Sequence, residues 1–155
     1  MVSRRAALRL GAFATLVSVA ACTSEPETPP PPDPLAKLAA QARTDAALAT
    51  AIAAAQPALA AAATEIAQAR TEHATVLQAE VDRATPPVSS SAASSSAAPK
   101  TTTPEVPADG AAALVSALTD AEKQAADLVP SVPRYRAGML GSVAAGCACL
   151  RVVLT

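Results

Sequence analysis

The sequence contains very few large side chains with which to build a hydrophobic core. It has one tyrosine, one phenylalanine and no tryptophan among 155 residues, although 51% of the residues are nominally hydrophobic. More than half of that hydrophobic content is alanine, which buries little area but has the highest intrinsic helix propensity. This composition favours helices that approach one another closely over a β-sandwich, so we expect an all-α fold.

Basic residues and cysteines are also scarce. The sequence has 12 Lys and Arg residues and 13 Asp and Glu residues, which gives a formal net charge of −1. It has no basic stripe interleaved with aromatic residues. We therefore expect no nucleic-acid partner. The three cysteines, Cys22, Cys147 and Cys149, leave no disulfide framework if one of them is modified.

The first 22 residues follow the order of a bacterial secretory signal. Arg4 and Arg5 give a basic start, an apolar run covers residues 10–19, and small residues precede Cys22. The apolar run is about half as long as the roughly 20 residues that a bilayer-spanning helix requires. We therefore predict that residues 1–21 are a signal peptide rather than a permanent anchor.

The residues at the predicted cleavage point carry a family resemblance. Val19, Ala20, Ala21 and Cys22 are similar to the lipobox of bacterial lipoprotein precursors. In that family the cysteine thiol is acylated and the residue becomes the new N-terminus after cleavage. The resemblance implies that the chain is exported and held on the outer face of the cell membrane by lipid on Cys22.

The basic start also bears on the export route. Residues 3–9, SRRAALR, resemble a twin-arginine export motif centred on Arg4 and Arg5, although Ala7 stands where that motif usually has phenylalanine. Export through either the twin-arginine or the general secretory route remains open.

Proline and serine divide the rest of the chain into tether, helices and linker. Residues 22–34 include four consecutive prolines and predict a semi-rigid tether after the lipidated cysteine. Residues 85–109 consist largely of Ser, Thr, Ala and Pro and predict a disordered linker, either bare or carrying O-linked sugar. Residues 35–84 and 110–155 would then form the two halves of one helical bundle.

Apolar residues at helical spacing predict four helices, at about 35–56, 58–84, 110–128 and 134–153. Pro57 separates the first two helices, and Pro130 and Pro133 separate the last two. A flexible linker of about 25 residues spans roughly 28 Å, so the third helix could begin at either end of the bundle. Four helices with one long connection resemble the ferritin-like arrangement.

The fourth helix is predicted to be buried. Its core stripe consists of Met139, Val143, Cys147, Leu150 and Leu154. The opposite side has small residues that would permit a second close helix contact: Gly138, Ser142, Ala145 and Cys149. The segment 135–142, YRAGMLGS, and the Ala- and Cys-rich helix after it are similar to Ala-rich, ferritin-like exported proteins of high-GC actinobacteria.

The ferritin-like di-iron pattern is missing from the sequence. That centre needs a glutamate from two helices and a Glu-x-x-His on each of the other two. His73 follows Glu72 directly but has Arg70 three positions earlier, and the fourth helix has no carboxylate. We therefore predict no cofactor, and we interpret His73 as a hydrogen-bonded histidine at the core edge. The alternative is a weak metal site formed by His73 and Glu80.

Two further sets of residues need a partner or a ligand. Asp45 and Arg70 fall within the apolar stripes of the first two helices, and because a buried charge must be paired, we predict an interhelical ion pair. Cys147 and Cys149 could bind copper or zinc on a loop. Positions i and i+2 of a helix point about 160° apart, so we interpret both cysteines as small buried residues.

These expectations describe a lipid-anchored helical bundle of the cell envelope with a non-catalytic binding or scaffold role and an unknown partner. One alternative is a ferritin-like metal-binding protein or enzyme that uses His73, Glu72, Glu80 or the two helical cysteines. Another is a carrier of an apolar ligand.

Overall fold

The computed structural model describes residues 31–85 and 104–154, and most of both segments is helical. The helices are α1 (Pro34–Ala55), α2 (Ala60–Ala84), α3 (Gly110–Leu128) and α4 (Arg134–Val152). Strands are absent from the two described segments. The prediction of an all-α four-helix bundle is therefore confirmed, and each helix end lies within two residues of its predicted position.

Aspartates fix the starts of α1 and α3. The Asp33 carboxylate accepts a hydrogen bond from the backbone N–H of Leu35 at 3.0 Å, and Pro34 occupies the first helical position of α1. The Asp109 carboxylate accepts from the N–H of Ala112 at 2.9 Å. Each cap satisfies a backbone donor that the first turn of a helix leaves without a partner.

Prolines separate the two helices of each consecutive pair, α1–α2 and α3–α4. Pro57 cannot donate a backbone hydrogen bond, so α1 stops at Ala55 and the chain makes one 3₁₀ turn over Pro57–Leu59 before α2 begins. A second 3₁₀ turn, Val129–Ser131, joins α3 to α4. These short turns make α1 antiparallel to α2, and α3 antiparallel to α4.

Contacts at the two ends of the bundle show how the pairs are connected. The Gln56 side chain, just after α1, donates to the backbone carbonyl of Pro107, just before α3, at 2.9 Å. At the other end, Leu38 of α1 lines a groove with Leu128 of α3. The third helix therefore starts at the end of the bundle where α1 finishes, and it runs parallel to α2. The connection from α2 to α3 joins opposite ends, which is the single long crossover of ferritin-like bundles.

Leucine, isoleucine and alanine fill the interior. The largest fully buried side chains are Leu35, Ile52, Ile66, Leu77, Leu114, Leu118, Leu140 and Cys147. The most extensive helix contact joins α1 and α2, and buried alanines on both helices allow it. Gly110 permits a close approach between α3 and α1, because a Cβ at this position would lie 2.8 Å from Cγ2 of Ile52.

The prediction of a fourth helix buried on two sides is wrong. Val143, Cys147 and Leu150 are buried, while Met139 and Leu154 are half-buried at the margin of the core. The small residues of the opposite side are exposed: Gly138, Ser142, Ala145 and Cys149. Since α4 packs with one face against α3 and α2, these small side chains meet solvent.

Several predicted segments lie outside the described residues. They include the signal peptide (1–21), most of the tether (22–30) and the central part of the linker (86–103). Residues 104–109, which the sequence assigned to the linker, are described, and Val106 among them packs against the core.

Candidate functional site

The interior of the bundle contains an ion pair between α1 and α2. Asp45 is 3% exposed and Arg70 is 2% exposed. Nη2 and Nε of Arg70 donate to Oδ2 of Asp45 at 2.8 and 3.2 Å, and the Gln41 side chain donates to Oδ1 at 2.8 Å. This is the interhelical pair that the apolar stripes of the sequence indicate, and both carboxylate oxygens have a partner.

The remaining donors of Arg70 extend this pair to α4. Nη1 lies 3.1 Å from Nδ1 of His73 and donates to the Cys147 thiol at 3.4 Å. A guanidinium has no acceptor atom, so Nδ1 must accept and the proton of the neutral imidazole must sit on Nε2. One guanidinium thus joins three helices through Asp45, His73 and Cys147, and we call these four residues the Arg70 cluster.

The Arg70 cluster has one ion pair and two neutral members. Burial, and then the charge of Arg70, lower the pKa of His73 below its ordinary value, which favours the neutral imidazole. Burial raises the pKa of the Cys147 thiol. A protonated, buried thiol is a poor nucleophile and a poor metal ligand. The arrangement therefore acts as a polar tie between helices.

Glycine makes room for the histidine. A Cβ at Gly146 of α4 would lie 3.0 Å from Nε2 and 3.1 Å from Cε1 of His73. Gly146 is next to Cys147 in the chain, so the residue that admits the ring and the residue that contacts Arg70 share one turn of α4.

A second polar network lies at the end of the bundle where α1 begins. Arg136 of α4, 8% exposed, donates to Glu80 and to Asp33, both at 2.8 Å. Arg83 adds two bonds to the Glu80 carboxylate at 2.7 and 2.8 Å, and together with Arg136 it lowers the pKa of Glu80 to about 2. The Tyr135 ring lies 5.0 Å from the Arg83 guanidinium and 5.9 Å from that of Arg136.

Arg136 is not among the site residues predicted from the sequence, although its position gives a signal. Arg136 precedes Leu140, Val143 and Cys147 at helical spacing, and all four are buried. The same argument that identified Arg70 as a charge within an apolar stripe would have identified Arg136.

The two candidate metal ligands on α2 do not come together. His73 belongs to the Arg70 cluster, whereas Glu80 binds Arg83 and Arg136. They are seven positions apart on one helix, a rise of about 10 Å. Within residues 31–85 and 104–154, no three His, Cys, Asp or Glu side chains are placed to hold a metal ion.

The helical cysteines also point apart. Cys147 is buried against Arg70, and Cys149 is exposed, so the expectation that both are buried is wrong for Cys149. The two thiols are separated in the way that helix geometry requires of positions i and i+2. Both are free.

The outer surface of the α1–α2 pair has shallow grooves lined by small residues. Two such grooves meet at Thr71, and their lining is mainly alanine and threonine: Ala46, Thr50, Ala53, Thr64, Ala67, Ala74 and Thr75. Arg43 and Gln78, which form a hydrogen bond at 2.7 Å, border one of them.

The residues of the export and lipidation signals, Arg4, Arg5 and 19–22, lie outside the described part of the chain. None of the helices within residues 31–85 and 104–154 combines the length and the hydropathy that crossing a bilayer requires. Comparison of this chain with protein-family models, curated proteins and solved structures finds no match.

Proposed function

We propose that this chain is a lipid-anchored protein of the cell envelope, in which a small helical bundle performs a non-catalytic binding or scaffold role. The observation that carries the proposal is the sequence Val19-Ala20-Ala21-Cys22 at the end of a basic and then apolar leader. The helical bundle begins at Pro34, only twelve residues after Cys22. A lipid on Cys22 would therefore keep the bundle close to the membrane.

The energetics of acylation support a stable anchor. Each buried methylene of an acyl chain contributes about 0.8 kcal/mol, and two or more chains give lasting attachment where one gives only marginal binding. A cysteine of the lipoprotein type carries two or three chains. The bundle needs no membrane-spanning helix to stay at the surface.

The state of the interior polar groups supports a non-catalytic role. The Asp45 carboxylate accepts from Arg70 and Gln41, and the Cys147 thiol accepts from Arg70. The described residues include no buried side-chain nitrogen or oxygen without a partner. Buried polar groups that are paired in this way stabilise a fold. A partner would meet the exterior of the bundle.

The test is lipidation of the full chain in a bacterial host. Expression with a labelled fatty acid should yield label on the protein and partition into the detergent phase, and Cys22→Ser should abolish both. Cys149→Ser is the matched control, since Cys149 is an exposed thiol that should not be acylated. If Cys22→Ser stayed in the membrane fraction like the wild type, the anchor would be wrong.

The same purified protein tests the rival functions. Stoichiometric iron, copper or zinc that disappears in His73→Ala would favour a metal protein. Lipid that copurifies with the bundle after the acylated N-terminus has been removed would favour a carrier of apolar ligands. Our proposal predicts neither result.

A further inference from the structure

We propose that the end of the bundle at which the tether enters is a docking surface for an anionic lipid membrane. The surface consists of five exposed residues from the end of α2, the α3–α4 turn and the start of α4: Arg83, Pro130, Pro133, Arg134 and Tyr135. We call it the tether-end face. This inference rests on the proposed function, because the anchor at Cys22 brings this face to the membrane.

Chain length confines the tether-end face to the neighbourhood of the membrane. Asp33 caps α1 and binds Arg136 of α4 at 2.8 Å, which fixes the incoming chain to this end of the bundle. Eleven residues separate Cys22 from α1, and even a fully extended chain of that length spans at most about 40 Å. The α1 helix itself is about 33 Å long. The opposite end of the bundle is farther from the anchor by that length.

Tyr135 is the feature that points to a lipid interface. It is the chain's one tyrosine, the chain has no tryptophan, and the one phenylalanine lies in the leader. A bundle that is short of large side chains would be expected to bury its aromatic ring, yet Tyr135 is 61% exposed. Tyrosine combines an apolar ring with a polar hydroxyl, which suits the boundary between headgroups and water.

The tether-end face exposes two arginines, whereas the carboxylates of Asp33 and Glu80 near it are only 14% and 13% exposed. Arg134 is exposed, and the Arg83 side chain is 59% exposed beside the Tyr135 ring. The carboxylates of Asp33 and Glu80 at this end are already engaged by Arg136 and Arg83. Asp82 is exposed at the same end, where it accepts a hydrogen bond from Gln78.

The opposite end of the bundle has exposed carboxylates and no unpaired arginine among the described residues, since Arg151 there is paired with Glu122. It presents the carboxylates of Glu105 and Asp109, both exposed. An anionic surface would therefore attract the tether-end face and repel the far end, which orients the bundle upright on the membrane.

Because the bundle is tethered, even a weak attraction to the membrane is sufficient to orient it there. A group held by a short linker experiences an effective concentration in the millimolar range, so its docking becomes an intramolecular step. Two exposed arginines and one tyrosine would not recruit a free protein to a membrane, but they can determine which side of a tethered protein rests on it.

The experiment uses the intrinsic fluorescence of Tyr135, which no other tyrosine or tryptophan obscures. The acylated full chain is reconstituted into vesicles of phosphatidylcholine with phosphatidylglycerol, with or without bromine on the lipid acyl chains. Bromine quenches only on close approach. We expect severalfold quenching, which weakens as added salt shortens the Debye length from about 10 Å at 0.1 M to about 3 Å at 1 M. Pure phosphatidylcholine vesicles should quench much less.

Matched charge reversals separate docking from anchoring. Arg134→Glu should remove most of the quenching, whereas Arg43→Glu, the same change on the exposed flank of α1, should leave it unchanged. Circular dichroism checks that both variants are folded. Equal emission from brominated and ordinary vesicles, or equal effects of the two variants, would overturn the docking surface.

Vesicle flotation separates this inference from the proposed function. If the wild type floats with vesicles, Cys22→Ser does not, and Tyr135 is not quenched, the anchor is correct and the docking surface is wrong. If the wild type does not float, the anchor is wrong. The docking surface, which needs the tether, is then wrong as well.

Discussion

Removal of the Asp45 charge should destabilise the bundle far more than removal of an exposed charge does. Asp45→Asn keeps the size of the side chain and one acceptor oxygen but leaves the Arg70 guanidinium without its counter-ion. Removing one member of a buried pair typically costs about 3–5 kcal/mol, and small domains have only about 5–15 kcal/mol in total. Because the amide can still accept a hydrogen bond, we expect the lower end of that range, about 3 kcal/mol.

Water cannot replace Asp45 as the partner of the Arg70 charge. Arg70 is 2% exposed, so water cannot solvate the guanidinium without opening the contact between α1 and α2. Its other partners, His73 and Cys147, are neutral, because burial lowers the pKa of His73 and raises the pKa of Cys147. Asp45 is therefore the one negative charge of the cluster.

The assay is urea unfolding followed by circular dichroism, with a matched exposed pair as the control. Lys123 and Asp127 are joined at 2.7 Å on α3, but their side chains are 71% and 62% exposed, so Asp127→Asn should cost less than about 1 kcal/mol. Exchanging the two charges, Asp45→Arg with Arg70→Asp, should recover part of the lost stability. Equal destabilisation of Asp45→Asn and Asp127→Asn would contradict this expectation, as would an exchanged pair that is no more stable than either single change.

Three further predictions concern histidine, glycine and a helix cap. The pKa of His73 is lower in the folded protein than its ordinary value in the unfolded chain, so the unfolded chain takes up the proton first as the pH falls. The unfolding free energy of the protein should therefore decrease below about pH 6.5, by at most about 1.4 kcal/mol per pH unit. His73→Gln should remove this pH dependence in a series of urea titrations. Gly138 has open space around it, so Gly138→Ala should stabilise α4 by about 0.5–1 kcal/mol. The new methyl group of Gly146→Ala would meet the His73 ring, so this variant should gain no stability. Equal melting temperatures of the two variants would contradict this. Asp109→Ala removes the cap on the Ala112 N–H and should lower the unfolding free energy by about 1 kcal/mol.

The helices could be predicted from the sequence because prolines and caps define their ends. Asp33 and Pro34 start α1, Pro57 ends it, and Pro130 and Pro133 bound the turn before α4. These residues act through local backbone geometry, which does not depend on the rest of the fold. The end of the bundle at which α3 begins could not be predicted, because a linker of about 25 residues is long enough to reach either end.

The interior ion pair could be predicted from the sequence, but the burial of the small residues of α4 could not. A charge among apolar residues at helical spacing is informative, and this pattern alone identifies Asp45 and Arg70 as an interior pair. Glycine, serine and alanine are compatible with both a tight contact and open solvent. The face of α4 that includes Gly138 and Cys149 therefore has the composition of a helix interface, although it is exposed.

The Arg70 cluster also helps to explain how an alanine-rich bundle keeps one arrangement. Four alanines on α1 are buried: Ala39, Ala42, Ala46 and Ala49. A surface of small, similar side chains specifies the register of a neighbouring helix weakly, so we expect that packing alone would tolerate a shift by one turn. An ion pair that must meet across this surface excludes such shifts, since each would leave a charge buried alone. We therefore expect Asp45→Leu with Arg70→Met to regain most of the stability that Asp45→Asn loses, but to broaden the NMR signals of α1 and α2 and weaken the protection of their amides from hydrogen exchange. A double variant with sharp signals and native protection would show that packing alone sets the register.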